Sequence, residues 1–257
     1  MPVRPPVLVA PDAFGGDLRA PVVAAAIARG LERAGVTPLP ELCPVSSGGR
    51  GTIEALLPAL GGETGDGFAL IEDGGTAIVE LAAPAQKTGE RLAAAAATGA
   101  AVVLLAAAGA GAAGARDHAA ALLAAIPEHG GLGAAALVVL CDVREPGALA
   151  AHLRDCGGAR LVAGAPFVLE ALDFDVRMRA ARAVVVGEER LERATLRGRV
   201  VGEIATRARQ AGVPCHAITA YDAIDRFDAR ILDLQAIIEA TTIAELEAAG
   251  EALAVYL

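Results

Sequence analysis

Val7-Leu8-Val9-Ala10-Pro11-Asp12-Ala13-Phe14-Gly15-Gly16 carries the first structural element of the chain, and the way it ends decides the fold class. Four apolar residues cut off by a proline read as a short strand buried on both faces, because a half-exposed strand would alternate polar and apolar side chains. Pro21 then fits the first turn of a helix, with Val22, Ala26, Ile27 and Leu31 on one face until Gly35 stops it. Moving outward, short apolar runs recur at Thr76–Ala82, Ala101–Ala107, Ala135–Cys141, Ala183–Val186 and Cys215–Thr219, each predicted as a strand. Helical patterns lie between them at Thr52–Leu60, Gly89–Thr98, Ala115–Ile126, Pro146–Leu153, Pro166–Leu172 and Val200–Ala211. A last helix opens on Thr242-x-x-Glu245, a capping-box pattern that closes two otherwise unpaired backbone donors. This alternation predicts an α/β fold of three layers, α/β/α, around a mainly parallel sheet.

In such sheets ligands sit beyond the carboxyl ends of the strands. Asp12, Asp142 and the pair Glu188 and Glu189 fall just after predicted strands, so these carboxylates are the first candidates for chemistry. A length of 257 residues with 54% hydrophobic content suits one large domain, or one domain with a small second lobe. The net charge of −9 opposes a nucleic-acid role, since phosphate backbones call for a basic face. No apolar stretch reads as a membrane span, and the run ended by Pro11 is too short for a signal-peptide core, so the expected location is cytoplasmic. Lys87 is the only lysine and Ser46 and Ser47 are the only serines, which leaves no Walker-type loop and no serine-nucleophile elbow. Cys43, Cys141, Cys156 and Cys215 stand far apart and read as reduced thiols. His118, His129, His152 and His216 show no metal-ligand spacing.

Two glycine-rich stretches compete for an anionic ligand. Ser46-Ser47-Gly48-Gly49-Arg50-Gly51-Thr52 leads into a helix, so its free N–H groups and Arg50 could cradle a phosphate; it reads equally as an ordinary tight turn. Gly109-Ala110-Gly111-Ala112-Ala113-Gly114 matches the dinucleotide pattern G-x-G-x-x-G, which would make the protein an NAD-binding enzyme. The acid that should follow about twenty positions later is Asp142, twenty-eight beyond Gly114, and 30 glycines make chance matches common. Arg50, Arg197 and Arg199 are the cations available to a phosphoryl group.

Taken in order, these stretches resemble the glycerate kinase family. Val7 to Gly16 is similar to its I-A-P-D-S-F-K-G-S opening, and Pro44 to Thr52 with Glu54-Ala55-Leu56 to its P-x-A-D-G-G-E-G-T-x-E-A. Thr76 to Ala83 resembles A-x-x-E-M-A-A, and Cys141-Asp142-Val143 resembles C-D-V. Gly187 to Glu192 with Gly198-Arg199 looks like G-E-G-R-x-D followed by G-K. The G-G-S-A-T-N-D-G-G segment corresponds to Gly109 to Asp117. A counterpart of G-P-Q-K-G-A is missing, so the resemblance implies a shortened, divergent member with its second lobe reduced or absent: one domain over 1–257, with a remnant of the lobe within about 64–180.

The resemblance further implies ATP-dependent phosphorylation of glycerate or a related hydroxy acid, with Mg²⁺. Asp12 and Asp142 become the catalytic carboxylates, and Gly48, Gly49, Arg50, Gly51 and Thr52 an anion site, with Glu188 and Arg199 near the nucleotide. The metal ligands are left unassigned. Four polar family positions are Ala13, Gly15, Ser47 and Arg50 here, which keeps open an inactive paralogue that binds a ligand or acts as a partner subunit. A homo-oligomer is the other assembly expected.

Overall fold

The structure, a computed structural model, describes residues 4–110 and 114–257. The chain divides into two compact units, Met1–Ser46 with Leu169–Leu257, and Ser47–Val168. The first unit begins with β1 (Val7–Pro11), α1 (Ala20–Arg33) and β2 (Glu41–Leu42). The second contains α2 (Thr52–Leu60), β3 (Glu63–Thr64), β4 (Phe68–Ile71), β5 (Thr76–Glu80), α3 (Ala85–Ala97), β6 (Val102–Ala106), α4 (Ala115–Glu128), β7 (Ala136–Cys141), α5 (Ala148–Gly157) and β8 (Arg160–Ala163). Within α6 (Gly164–Ala171) the chain passes back to the first unit. That unit closes with α7 (Phe174–Ala180), β9 (Ala183–Leu191), α8 (Val200–Ala211), β10 (Cys215–Asp222), α9 (Arg226–Leu232), β11 (Leu234–Glu239) and α10 (Ile243–Leu253).

The sheet of the first unit runs β11-β10-β9-β1-β2, with every pairing parallel. All five residues of β1 are buried, as a strand covered on both faces requires. Val7, Val9, Val185 and Ile218 pack with Val23, Ile27 and Leu31 of α1 and Leu246 and Leu253 of α10. Meanwhile α8 lies against β9 and β10. The α1–α10 crossing is unusually close: a Cβ on Gly30 would stand 1.9 Å from the Glu247 carbonyl oxygen, and one on Gly250 2.3 Å from that of Ile27. Arg29 and Arg33 pair with Glu247 along the exposed side of this crossing. The two-residue edge strand β2 is held by Arg177 of α7, which donates to Glu41 Oε1 at 2.6 Å and to the Leu42 carbonyl at 2.7 Å.

In the second unit the order is β3-β4-β5-β6-β7-β8, antiparallel across β3, β4 and β5 and parallel from β5 onward. Val79, Val103, Leu105 and Val139 meet Leu92 of α3, Leu122 of α4 and Leu153 of α5 in a separate core.

The α/β class and the mainly parallel pairing are as the alternation of apolar runs predicts. Several details differ. Among the described residues the strands fall into two sheets, since periodicity marks strands without saying which sheet each joins. The second unit carries six strands and its own core. Strand β4 and the short elements β2, β3, β8, α7 and α9 carry too few residues for a period to show, and the six-residue β11 goes unpredicted as well. Helix α10 begins as predicted, with Thr242 and Glu245 exchanging cap hydrogen bonds. Among the described residues no helix is long and apolar enough to cross a membrane. Cys43, Cys141 and Cys215 are buried free thiols and Cys156 is exposed.

Candidate active site

At the carboxyl ends of β1 and β9 the first unit gathers a cluster of carboxylates and arginines. Asp12 follows β1 directly. Its N–H donates to the Gly187 carbonyl at 2.7 Å, continuing the β1–β9 ladder by one residue, and its Oδ1 accepts from Ala13 N at 2.7 Å, which orients the carboxylate. The turn beyond it closes through Phe14 N to the Leu18 carbonyl, with the Phe14 ring buried in the core.

Glu188 and Glu189 do not follow a strand, as the sequence suggests, but lie inside β9, which continues to Leu191 alongside β10. The apolar run stops at Val186 because the strand outlasts the hydrophobic layer, while its backbone pairing goes on. Alternation then sends the two acids to opposite faces. Glu188 turns inward, 7% exposed, where its Oε1 accepts from Thr195 Oγ1 at 2.5 Å and its Oε2 lies 3.7 Å from Arg199 Nη1. Glu189 is exposed, and its carboxylate oxygens stand 3.0 Å from where a Cβ on Gly15 would be. A carboxylate therefore covers the position at which the family resemblance has a lysine.

Burial pushes the Glu188 carboxyl up to about 7; Thr195 and Arg199 act downward, and the negative charge of Asp12 adds to the upward push. Desolvation wins because Arg199 is itself well exposed, so solvent screens much of its charge. Arg199, at the start of α8, also donates to Glu192 Oε1 at 2.9 Å, and Arg190 reaches the other oxygen of Glu192 at 3.1 Å.

This burial has a consequence for stability. The native carboxyl holds its proton up to about 7 and the unfolded one only to 4.5, so stability falls as pH rises through that window and levels off above it. Glu188→Gln keeps an acceptor for Thr195 and removes the ionisation. Urea denaturation at pH 5 and pH 8 should show the wild type losing on the order of 3 kcal/mol more than the variant between the two. Equal losses would mean that Glu188 ionises normally.

The other residues singled out from sequence belong to the second unit. Gly48 and Gly49 lead to α2, and their lack of side chains is explained by packing. A Cβ on Gly49 would stand 2.2 Å from the Ala108 carbonyl oxygen, and one on Gly48 2.6 Å from Gly164 Cα. Three donors at this helix start are already used: Thr52 N and Oγ1 both donate to the Gly49 carbonyl, and Ile53 N donates to Glu80 Oε1 at 2.9 Å. Arg50 is exposed and Gly51 precedes the helix with a φ of +88°. Asp142 follows β7, half-buried, with Oδ1 accepting from Arg144 N at 2.9 Å. Residues 111–113 of the dinucleotide-like stretch lie outside the described residues, between β6 and α4. So the structure brings Asp12, Glu188 and Arg199 together, and Gly48, Gly49, Arg50, Gly51, Thr52 and Asp142 stand in the other unit.

Thr195 and Glu80 were not singled out from sequence as site residues, and Glu192 entered only as the end of a matched motif. Thr195 had a faint signal, as the polar residue between the two stretches ending at Glu192 and beginning at Gly198. Glu80 ends a strand, but it sits in a run whose apolar character drew the reading toward the core.

Comparison with known proteins bears on the fold and the family. No curated protein matches the chain. The crystal structure of a "putative glycerate kinase 2 from Salmonella typhimurium LT2" has the same fold, with a TM-score of 0.72 over 98% of this chain and 98% of that one, at 19% identity. Identity that low speaks for the fold alone. Residues 7–126 and 145–253 match the glycerate kinase family, a span that takes in Asp12, Gly48 to Thr52, Glu188 and Arg199 and leaves out Asp142. With that match over most of its length and the carboxylate cluster on matched strands, the chain belongs to the glycerate kinase family and so to the phosphotransferases.

Proposed function

We propose that the protein transfers the γ-phosphoryl group of ATP to a hydroxyl of glycerate or a closely related hydroxy acid. The observation that carries this reading is that Asp12 and Arg199 both act on the buried Glu188 carboxyl at the strand ends of the first unit. In the reaction the substrate oxygen attacks the γ-phosphorus, the bond to the bridging oxygen breaks, and ADP leaves with the electron pair. The hydroxyl proton passes to Asp12, which stands at the strand end and is less buried than Glu188. Arg199 offsets negative charge that builds up on the phosphoryl oxygens. Gly48, Gly49, Arg50, Gly51 and Thr52 are assigned to anion binding on the resemblance, with Arg50 as the cation of that stretch.

Among the described residues no group of three or more His, Cys, Asp or Glu side chains is placed to hold a metal ion. Mg²⁺ needs less, since it coordinates mainly through phosphate oxygens and water with one or two carboxylates. Asp142, oriented by Arg144 N–H, fits that role. Bound Mg²⁺ would neutralise charge on the phosphates. We place the protein in the cytoplasm as a small-molecule enzyme.

A coupled assay for ADP release with D-glycerate, ATP and Mg²⁺ should show turnover dependent on glycerate. A second reading, an inactive relative that keeps a ligand site, is favoured by Glu189 covering Gly15. It predicts a melting shift with ATP or glycerate and no turnover.

A further inference from the structure

We propose that Thr195 is a positioning residue: its hydroxyl, held by the backbone of Glu192, fixes the Glu188 carboxylate beside Asp12. The inference rests on the phosphotransfer reading above and extends it to a residue seven positions beyond Glu188 in the chain.

Thr195 is fully buried in the 3₁₀ turn Arg193–Arg197. Its Oγ1 accepts from Glu192 N at 3.2 Å, and its own hydroxyl proton goes to Glu188 Oε1 at 2.5 Å. A hydroxyl has one proton, so the incoming N–H bond directs that proton toward Glu188. The turn itself cannot drift. Thr195 N donates to the Glu192 carbonyl at 2.8 Å, the Glu192 side chain caps the same turn, and the Thr195 carbonyl lies against α8 so closely that a Cβ on Gly202 would stand 2.0 Å from it. Arg199 reaches both Glu188 and Glu192, so one cation ties the carboxylate that Thr195 holds to the residue that caps its turn.

The charged groups acting on Glu188 are Arg199 from α8 and Asp12 from the end of β1, with Glu192 bound to the same arginine. From β10 the residue in register is Thr219, whose hydroxyl accepts from Leu191 N. Thr195 is thus the neutral donor to a carboxylate otherwise held at longer range. Without it the side chain could rotate, and the charge beside Asp12 would no longer have a fixed place.

Thr195→Val, Thr195→Ser, Glu188→Gln and the double variant Thr195→Val with Glu188→Gln test this in two assays. Denaturation across pH 4.5 to 9 reads Glu188 without turnover. Losing the donor should extend the fall in stability upward by about one pH unit in Thr195→Val. Thr195→Ser should restore the wild-type profile, and the double variant should match Glu188→Gln in its pH dependence. In the coupled assay, Thr195→Val should lower kcat about tenfold with KM within about twofold, and serine should recover it. An unmoved pH profile, a shift that persists in the Glu188→Gln background, or an unchanged kcat overturns the proposal. If Thr195→Val does not fold, Thr195→Ala enters the same series. A wild type without turnover ends the phosphotransfer reading, while the denaturation series still decides whether Thr195 holds Glu188.

Discussion

Asp12→Asn is expected to lower kcat by about 10²- to 10³-fold while leaving KM and thermal stability close to wild type. Asparagine has the same shape, and its side-chain oxygen can still accept from Ala13 N, so the turn after β1 should survive. What it lacks is a place for the proton of the attacking hydroxyl. The change also has a signature apart from turnover. Asp12 contributes to the raised pKa of Glu188, so removing its charge should move the Glu188 step in the stability profile to lower pH. Steady-state kinetics and the denaturation series together check both halves. A kcat within threefold of wild type would take Asp12 out of the chemistry, and a melt that collapses would show a structural role instead.

Gly30→Ala should lower the melting temperature by roughly 6 to 12 °C, from a destabilisation of about 3 kcal/mol in a unit of this size. Its Cβ would lie 1.9 Å from the Glu247 carbonyl oxygen and 2.9 Å from Glu251 N, both backbone atoms of α10 that cannot rotate away. The helices would have to move apart, loosening Ile27, Leu31, Leu246 and Leu253 in the core beneath. The ion pairs from Arg29 and Arg33 to Glu247 cannot compensate, since half-exposed pairs are worth no more than about 1 kcal/mol. Val22→Ala, on the partly exposed side of the same helix, serves as the control and should shift the melt by only a degree or two. A Gly30→Ala protein that melts with the wild type would mean that the two helices slide easily past one another.

Much of the scaffold was legible in the residues because each device is local. Val7 to Ala10 buries every side chain, so its apolar run is uninterrupted. The predicted bounds Thr52–Leu60 and Val200–Ala211 coincide with α2 and α8, where the apolar stripe ends on a glycine, Gly61 and Gly212. Limits appear where an element is short or continues past the core. Phe68–Ile71 is four residues pairing antiparallel with β5, and nothing in four residues announces a direction. Glu188 and Glu189 read as residues beyond a strand because their polarity ended the run, although backbone pairing carries β9 through them.

The glycines teach the same lesson about the site. Gly48 and Gly49 look like a ligand cradle in sequence, and in the structure their missing side chains first make room for Ala108 and Gly164. Likewise the N–H of Ile53, a donor that a helix start offers to an anion, is taken by Glu80 from the end of β5.

By itself the sequence determined the layer class, the alternation of strands and helices, the carboxylate after β1 and the family, since each depends on the order and spacing of neighbouring residues. Tertiary structure alone decided that Glu188 is buried beside Asp12, that Thr195 holds it, and that Glu189 fills the space over Gly15. Those relations join residues far apart in the chain, and burial, which sets the charge state of Glu188, is a property of packing that no single stretch of residues carries.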